Sequence, residues 1–240
     1  MLHIIIPYRA TTQPERKRQL GILLGCFELH LPEAHVVVVE QCCERKFNKG
    51  ALQNIGVLLS GGTDTDTICL QDVDMLPDAE LILEYTRGLE VQTVRHISGS
   101  NNRYTKHKKT SERDSKNRFL GGIVMLTVNA FKNVNGYPND FWGWGGEDDE
   151  LRDRLVLDGL KVEKSFVGAI KDLENNLLGR TRNQKMKYLK KTGQKCIEKR
   201  ELRRWHRQHP SQQGLAQVRW KTVKMFKYYQ NSDHYLVDIL

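Results

Sequence analysis

The chain has 240 residues, enough for one sizeable core, and 39% of them are hydrophobic, too many for a disordered polypeptide. No apolar run is long enough to span a bilayer, and five cysteines without regular spacing argue against a disulfide scaffold and for a reducing compartment. A formal charge of +9 raises the question of an anionic partner, nucleic acid included.

From the N-terminus, residues 2–7 predict a strand, in which Ile4-Ile5-Ile6 leads into Pro7. No basic region precedes it, so the start reads as strand rather than signal peptide, and a cytoplasmic location is expected. A helix is predicted after Pro14, where Leu20, Leu23, Leu24, Phe27 and Leu31 recur at helical spacing. The β-branched run Val36 to Glu40 predicts a buried strand. Residues 49–60 read as helix, Ile68 to Gln71 as strand, and Pro77 to Leu89 as helix. The stretch from Gly99 to Arg118 is polar, basic and without period, hence loop. Gly121 to Val128 predicts a strand, and Glu147 to Leu160 a helix with Leu151, Leu155 and Leu160 on one face. No repeat or linker divides the chain. The alternation predicts a single α/β domain over residues 1–240, with a mainly parallel mixed sheet and helices on both faces.

Two acidic stretches carry the chemistry. Phe141-Trp142-Gly143-Trp144-Gly145-Gly146-Glu147-Asp148-Asp149-Glu150 sets two indoles among glycines and then four consecutive carboxylates. Adjacent acids repel, but a helix starting near Gly146 offers free backbone N–H groups and a favourable field for them. Trp142 and Trp144 suit a flat apolar wall on which a sugar ring stacks; the plainer alternative is an acidic helix start after a tight turn. The second stretch, Asp72-Val73-Asp74, ends a short apolar strand, where ligands collect in open α/β sheets. Two carboxylates there can divide between a hard divalent cation, Mg²⁺ or Mn²⁺, and a sugar or water. Asp64-Thr65-Asp66 has the same form but precedes the strand and reads as a solvated loop.

In this order the motifs resemble the β-1,4-galactosyltransferase family of nucleotide-sugar glycosyltransferases. Ile6-Pro7-Tyr8-Arg9 is similar to the family's Pro-Phe-Arg strand end, and Phe47-Asn48-Lys49 to its Phe-Asn-Arg. Asp72 to Pro77, Gly121-Gly122-Ile123 and Asn135-Gly136-Tyr137-Pro138-Asn139 look like three further family stretches. The Trp-Gly-Trp-Gly-Gly-Glu-Asp-Asp run stands unchanged at Trp142 to Asp149, and the tail from Gln213 to Ile239 looks like the family's closing segment. The resemblance implies a GT-A fold, with residues 1–100 as the nucleotide-binding half, 101–179 as the acceptor and catalytic half, and 180–240 as a basic segment closing the fold. It also implies inverting transfer of galactose, or GalNAc, from a UDP-sugar to a hydroxyl of a glycan or glycolipid acceptor, with Mn²⁺ or Mg²⁺. Asp148 matches the general base, with Glu147 and Asp149 orienting sugar hydroxyls. Pro7, Tyr8, Arg9, Phe47, Lys49, Asp72, Val73, Asp74, Phe119, Gly122 and Trp144 fall at donor positions, and Trp142, Gly145, Gly146, Glu147 and Asp148 at acceptor positions. The plainer alternative for Phe47 and Tyr8 is a place in the core.

Several positions depart from the family. Lys49 gives up the bidentate fork of an arginine. Phe119 stands where a tyrosine is usual and keeps its bulk without its hydrogen bond. Asp172 and Asn175 fall where the family adds a methionine and a histidine as metal ligands beside Asp74, which implies an all-oxygen set. His206 and His209 lie far along the chain and read as a solvated helix face. Family members from eukaryotes are usually anchored in the Golgi, so a lumenal location would follow if an anchor had been removed. The lysines and arginines between Arg103 and Arg118 suit an anionic acceptor, and the basic chain suits peripheral contact with an anionic membrane. Two other readings remain: a sugar-binding protein of the same fold with impaired catalysis, and a nucleic-acid-binding protein using Trp205, Trp220, Tyr228 and Tyr229 with the basic stretch from Arg180 to Lys227.

Overall fold

The structure is a computed structural model that describes residues 1–10, 15–97, 119–165, 167–174, 182–210 and 212–240. In chain order the main elements are β1 (Leu2–Tyr8), α1 (Glu15–His30), β2 (His35–Gln41), α2 (Lys49–Leu59), β3 (Thr67–Gln71), β4 (Met75–Pro77), α3 (Ala79–Thr86), β5 (Thr93–His96) and β6 (Ile123–Thr127). They continue with α4 (Val128–Asn133), α5 (Glu147–Leu157), β7 (Lys161–Lys164), β8 (Ile170–Asp172), α6 (Arg182–Lys191), α7 (Lys199–Gln208), β9 (Trp220–Lys227) and β10 (Ser232–Ile239).

Eight strands form one sheet in the order β7-β5-β6-β3-β1-β2-β10-β9. Only β6 and β9 run against the others. The central strands are apolar throughout because both faces are covered. Ile4 and Ile6 of β1 pack with Leu20, Leu23, Leu24 and Phe27 of α1 on one face, while Ile5 meets Ala51, Leu52 and Ile55 of α2 on the other. Each such fully buried aliphatic side chain contributes roughly 1.5–3 kcal/mol of burial free energy. α5 lies on the α2 face through Leu151 and Leu155. Because β2 and β3 flank β1 on opposite sides, the loops leaving these strands part above the sheet and open a cleft at their carboxyl ends.

The mixed sheet with helices on both faces agrees with the expectation from sequence, and differences appear at the ends and edges. The predicted helix from Pro77 starts at Ala79, because Met75–Pro77 pairs antiparallel with β8, and Asp78 caps α3 by accepting from the Leu81 N–H at 2.8 Å. The strand expected to run to Val128 stops at Thr127, whose hydroxyl caps α4. β5 and β7 were not foreseen. The C-terminal segment supplies two sheet strands, with β10 joining β2 in parallel through Ser232 to Val237. The expected loop between Gly99 and Arg118 lies outside the described residues. Asp66 accepts from the Thr63 N–H and hydroxyl, as a turn residue should, so Asp64-Thr65-Asp66 is the loop expected. Among the described residues no helix is long and apolar enough to cross a membrane.

Candidate active site

Five chain segments meet at the cleft. Arg9 directly follows β1 and is largely buried; its guanidinium donates to the Arg45 carbonyl at 2.6 Å and to Gln194 Oε1 at 3.3 Å, 5.7 Å from the Phe47 ring centroid. Burial pulls its pKa below the ordinary value. Tyr8 goes the other way. Its ring lies in the core, edge-on to His234 at 5.9 Å, and Pro7 is buried within the strand, so these two donor candidates do not reach the cleft through their side chains.

Lys49 opens α2 behind Asn48, whose side chain caps the helix by accepting from the Ala51 N–H. Its ammonium lies 2.9 Å from Asp72 Oδ1 and 3.0 Å from Asp148 Oδ1. Burial alone would lower its pKa, but Asp148 and Asp72 outweigh that and hold it well above the usual value. Lys49 is therefore seated between carboxylates of two elements. The Asp72 N–H donates to the Gly122 carbonyl at 2.8 Å, and Gly122 takes φ +88°, where a side chain would be strained. A Cβ at Gly121 would fall 2.4 Å from Asp148 Oδ2. The glycine pair thus lets β6 begin directly under the carboxylate. Phe119 stands just before it, half-buried, with its ring 5.6 Å from that of His96.

The acidic helix start is held by a pegged turn. The Asn54 side chain on α2 donates to the Tyr137 carbonyl (2.7 Å) and accepts from the Tyr137 N–H (2.9 Å), while Asn48 Nδ2 donates to the Asn139 carbonyl. That turn leads through Trp142 to Gly146, the α5 N-cap, at φ +108° with no side-chain cap. Glu147 is buried and accepts from the Gly145 N–H at 3.2 Å; burial, followed by the charge of Asp148, pushes its pKa up to about 8. Asp148 accepts from Lys49 and from the Tyr137 hydroxyl at 3.2 Å. Burial raises its pKa, and Lys49 offsets this only in part. Asp149 departs from expectation: it is half-exposed and faces Arg203 at 3.4 Å, away from Asp148. α5 turns successive residues by about 100°, so three adjacent acids cannot share one face.

The indoles also separate. Trp144 is 40% exposed, its backbone paired with Gln194 and Cys196. Trp142 is half-buried against the core, and the Arg45 guanidinium covers its ring at 3.4 Å from the centroid. The expected continuous wall is thus one exposed indole beside a capped one, next to an open pocket of about 350 Å³ that Trp142 shares with Arg45, Lys46, Asp140, Glu198 and Leu202.

Asp74 lies on the other side of Asp72. It is buried, its carbonyl accepts from the Leu173 N–H at 2.8 Å, and the β4–β8 pairing sets Asp172 opposite Met75. Arg16 Nη1 is 3.3 Å from Asp74 Oδ2 and its other terminal nitrogen 3.8 Å from Glu174. Burial works against the charge on Arg16, yet Asp74 and Glu174 raise its pKa. Among the described residues no three His, Cys, Asp or Glu side chains converge as a complete metal site. Asn175 lies outside the described residues. Asp74 and Asp172 are both buried carboxylates, a donor type that suits Mg²⁺ or Mn²⁺ with further ligands from phosphates and water, while Asp74 here faces Arg16.

His206 corrects an expectation. It is fully buried, with Nε2 3.0 Å from Asp140 Oδ1 and Nδ1 3.3 Å from Arg154 Nη2, and so ties α7 to α5 instead of facing solvent. Trp220 packs partly on the core, whereas Trp205 stacks on His209 at 4.6 Å and stays 39% exposed. Sequence reasoning passed over Tyr137, Gly121 and Arg16 as site residues. The first two sit inside stretches already marked by the resemblance, and only the fold brings Arg16 to Asp74.

Comparison with known proteins bears on family and fold. A family model described as the N-terminal domain of galactosyltransferase matches residues 101–175. β-1,4-Galactosyltransferase 7 of Drosophila melanogaster is 32% identical over 192 residues, covering 80% of this chain and 54% of that protein. The chain belongs to the β-1,4-galactosyltransferase family. Human β-1,4-galactosyltransferase 3 is 31% identical over 168 residues, 67% of this chain and 39% of the human protein. The chain therefore spans about half, or less, of the length of these relatives. In fold it is similar to the catalytic domain of the Drosophila enzyme complexed with xylobiose, with TM-score 0.73, 23% identity and coverage of 100% of this chain and 94% of that one. A mutant of the same enzyme, solved with manganese, UDP-Gal and xylobiose, matches equally well at 22% identity.

Proposed function

We propose that this chain is an inverting, metal-dependent hexosyltransferase that moves galactose, or GalNAc, from a UDP-sugar to a hydroxyl of a glycan or glycolipid, with Asp148 as general base. The observation that carries the reading is Asp148 itself: a half-buried carboxylate at the uncapped start of α5, gripped by Lys49 and Tyr137, with Lys49 also holding Asp72. A base must reach the proton it takes, and Asp148 presents its oxygens where an acceptor resting against Trp144, Gly145 and Gly146 would place a hydroxyl. The hydroxyl proton passes to Asp148, the acceptor oxygen bonds to the anomeric carbon, and the bond from that carbon to UDP breaks on the opposite face. Arg9 and Phe47 suit the diphosphate and uracil, and Asp72 suits a ribose or sugar hydroxyl. Glu147, whose buried carboxyl holds its proton more readily than an ordinary glutamate, suits a hydrogen bond to a sugar oxygen. Asp74, with Asp172, would hold Mn²⁺ or Mg²⁺, which when bound offsets charge on the departing diphosphate. The basic residues between Arg103 and Arg118 suit an acceptor bearing acidic groups, an attraction that salt would screen.

The test is UDP release from UDP-galactose with Mn²⁺ across a panel of glycan acceptors. Asp148→Asn should lower acceptor-dependent transfer by about 10²–10⁴-fold while UDP binding persists; undiminished transfer removes Asp148 from the role. The contact of Arg16 with Asp74 favours a second reading, a sugar-binding protein with impaired catalysis. That reading requires UDP affinity to be indifferent to Mn²⁺.

A further inference from the structure

Lys49 makes its two carboxylate contacts in different directions, to Asp72 at the end of β3 and to Asp148 on α5. An ammonium has three diverging donors and serves two separate acceptors, whereas the coplanar fork of an arginine matches one carboxylate edge. Asp148 is held from a second side by the Tyr137 hydroxyl, and Tyr137 cannot swing away because it is 1% exposed and its backbone is bonded at both polar atoms to Asn54. Gly121 closes a third side, where even a methyl group would collide with Asp148 Oδ2. One carboxylate is thus fixed by a cation, a hydroxyl and a backbone wall.

We propose that Lys49 and Tyr137 are positioning residues that fix the orientation of the Asp148 carboxylate, and that Lys49 locks it to Asp72 so that the strand-end and helix-start halves of the site hold one geometry. This rests on Asp148 being the base. It differs from a lysine that simply binds the donor diphosphate, because a donor ligand is lost as donor affinity and a positioning residue as turnover. The groups facing Asp148 are Lys49 from α2, Asp72 from the end of β3, Tyr137 from the turn before α5 and Glu147 from its own helix. Removing Lys49 leaves three neighbouring carboxyl groups, Glu147 buried and Asp72 and Asp148 partly so, with no cation among these groups, so Asp148 should retain its proton to higher pH.

The experiment compares wild type with Lys49→Met, Lys49→Arg and Tyr137→Phe. UDP affinity with Mn²⁺ is measured by calorimetry, kcat with a glycan acceptor, and Asp148 titration by carboxyl ¹³C NMR assigned against Asp148→Asn. Lys49→Met should lower kcat about 100-fold with UDP affinity within about threefold, and should move the Asp148 titration upward. Lys49→Arg should restore the titration and only part of kcat. Tyr137→Phe, which keeps the ring and its packing, should lower kcat about tenfold with donor affinity unchanged. A loss confined to UDP affinity, or an Asp148 titration unmoved by Lys49→Met, overturns the proposal. An upward titration in Lys49→Met, where the wild-type protein binds UDP yet transfers nothing, supports the Lys49 restraint and overturns the base assignment instead.

Discussion

Glu147 and Asp148 are neighbours in sequence with unlike surroundings. Asp148 has a cation and a hydroxyl donor, whereas Glu147 has a backbone N–H and the repulsion of Asp148 in a buried setting, which pushes its pKa up to about 8. A carboxyl whose folded pKa lies above its unfolded value near 4.5 stabilises the fold below that unfolded value, and the contribution is lost as pH rises towards 8. Wild type should therefore unfold at lower urea at pH 8.5 than at pH 5.5, and Glu147→Gln, which imitates the protonated acid, should show a smaller drop between the two. An equal drop in both proteins would place the pH dependence elsewhere. Gly146 gives a second prediction at this scale. At φ +108° an added Cβ would also lie 2.5 Å from the Phe141 ring, so Gly146→Ala should cost about 1–3 kcal/mol in urea unfolding. A cost near zero would mean that the helix start relaxes freely and is not held in place.

At the scale of elements, α2 organises the site more than its length suggests. Its first turn presents Lys49, and its inner face uses Asn48 and Asn54 to fix the turn from Tyr137 to Asn139 before α5. Asn54→Ala would strip three hydrogen bonds from buried groups, so it should destabilise by about 2–3 kcal/mol. It should also lower turnover more than UDP affinity, because it loosens Tyr137 and leaves Arg9 and Asp74 untouched. The reverse split would show that the turn serves the donor. The same contrast explains what could be read from sequence. β1, β2 and α1 were legible because burial on one or both faces writes itself as apolar runs or helical spacing. β5 (Thr-Val-Arg-His) and β7 (Lys-Val-Glu-Lys) carry no such pattern, since pairing with β6 and with each other makes them strands. Asp148, Lys49 and Asp72 were legible as types in motifs, but their meeting was not, because it depends on α2, β3 and α5 converging. Asp149 and His206 were misjudged for the converse reason: side-chain direction belongs to helix rotation and packing, not to adjacency in the chain.

At the scale of the whole molecule, the candidate site draws on Arg9, Lys49, Asp74, Asp148 and Asp172, which come from both halves of the chain and both sides of β1. A ligand bound there meets groups that are together only in the folded sheet, so it should stabilise global unfolding and not one loop. At about a hundredfold excess over Kd the gain is about 2.7 kcal/mol. For a domain of this size that corresponds to a rise in Tm of about 5–10 °C. UDP with Mn²⁺ should produce it, UDP alone much less, and Asp74→Asn should remove the Mn²⁺-dependent part. The net charge of +9 supplies the control, because a polyanion such as heparin can also stabilise a basic protein. That attraction is between exposed charges and should vanish at about 0.5 M NaCl, whereas contacts in a buried cleft are screened far less. A Tm rise that disappears with salt, or that survives unchanged in Asp74→Asn, would move the binding of UDP from the cleft to the basic surface.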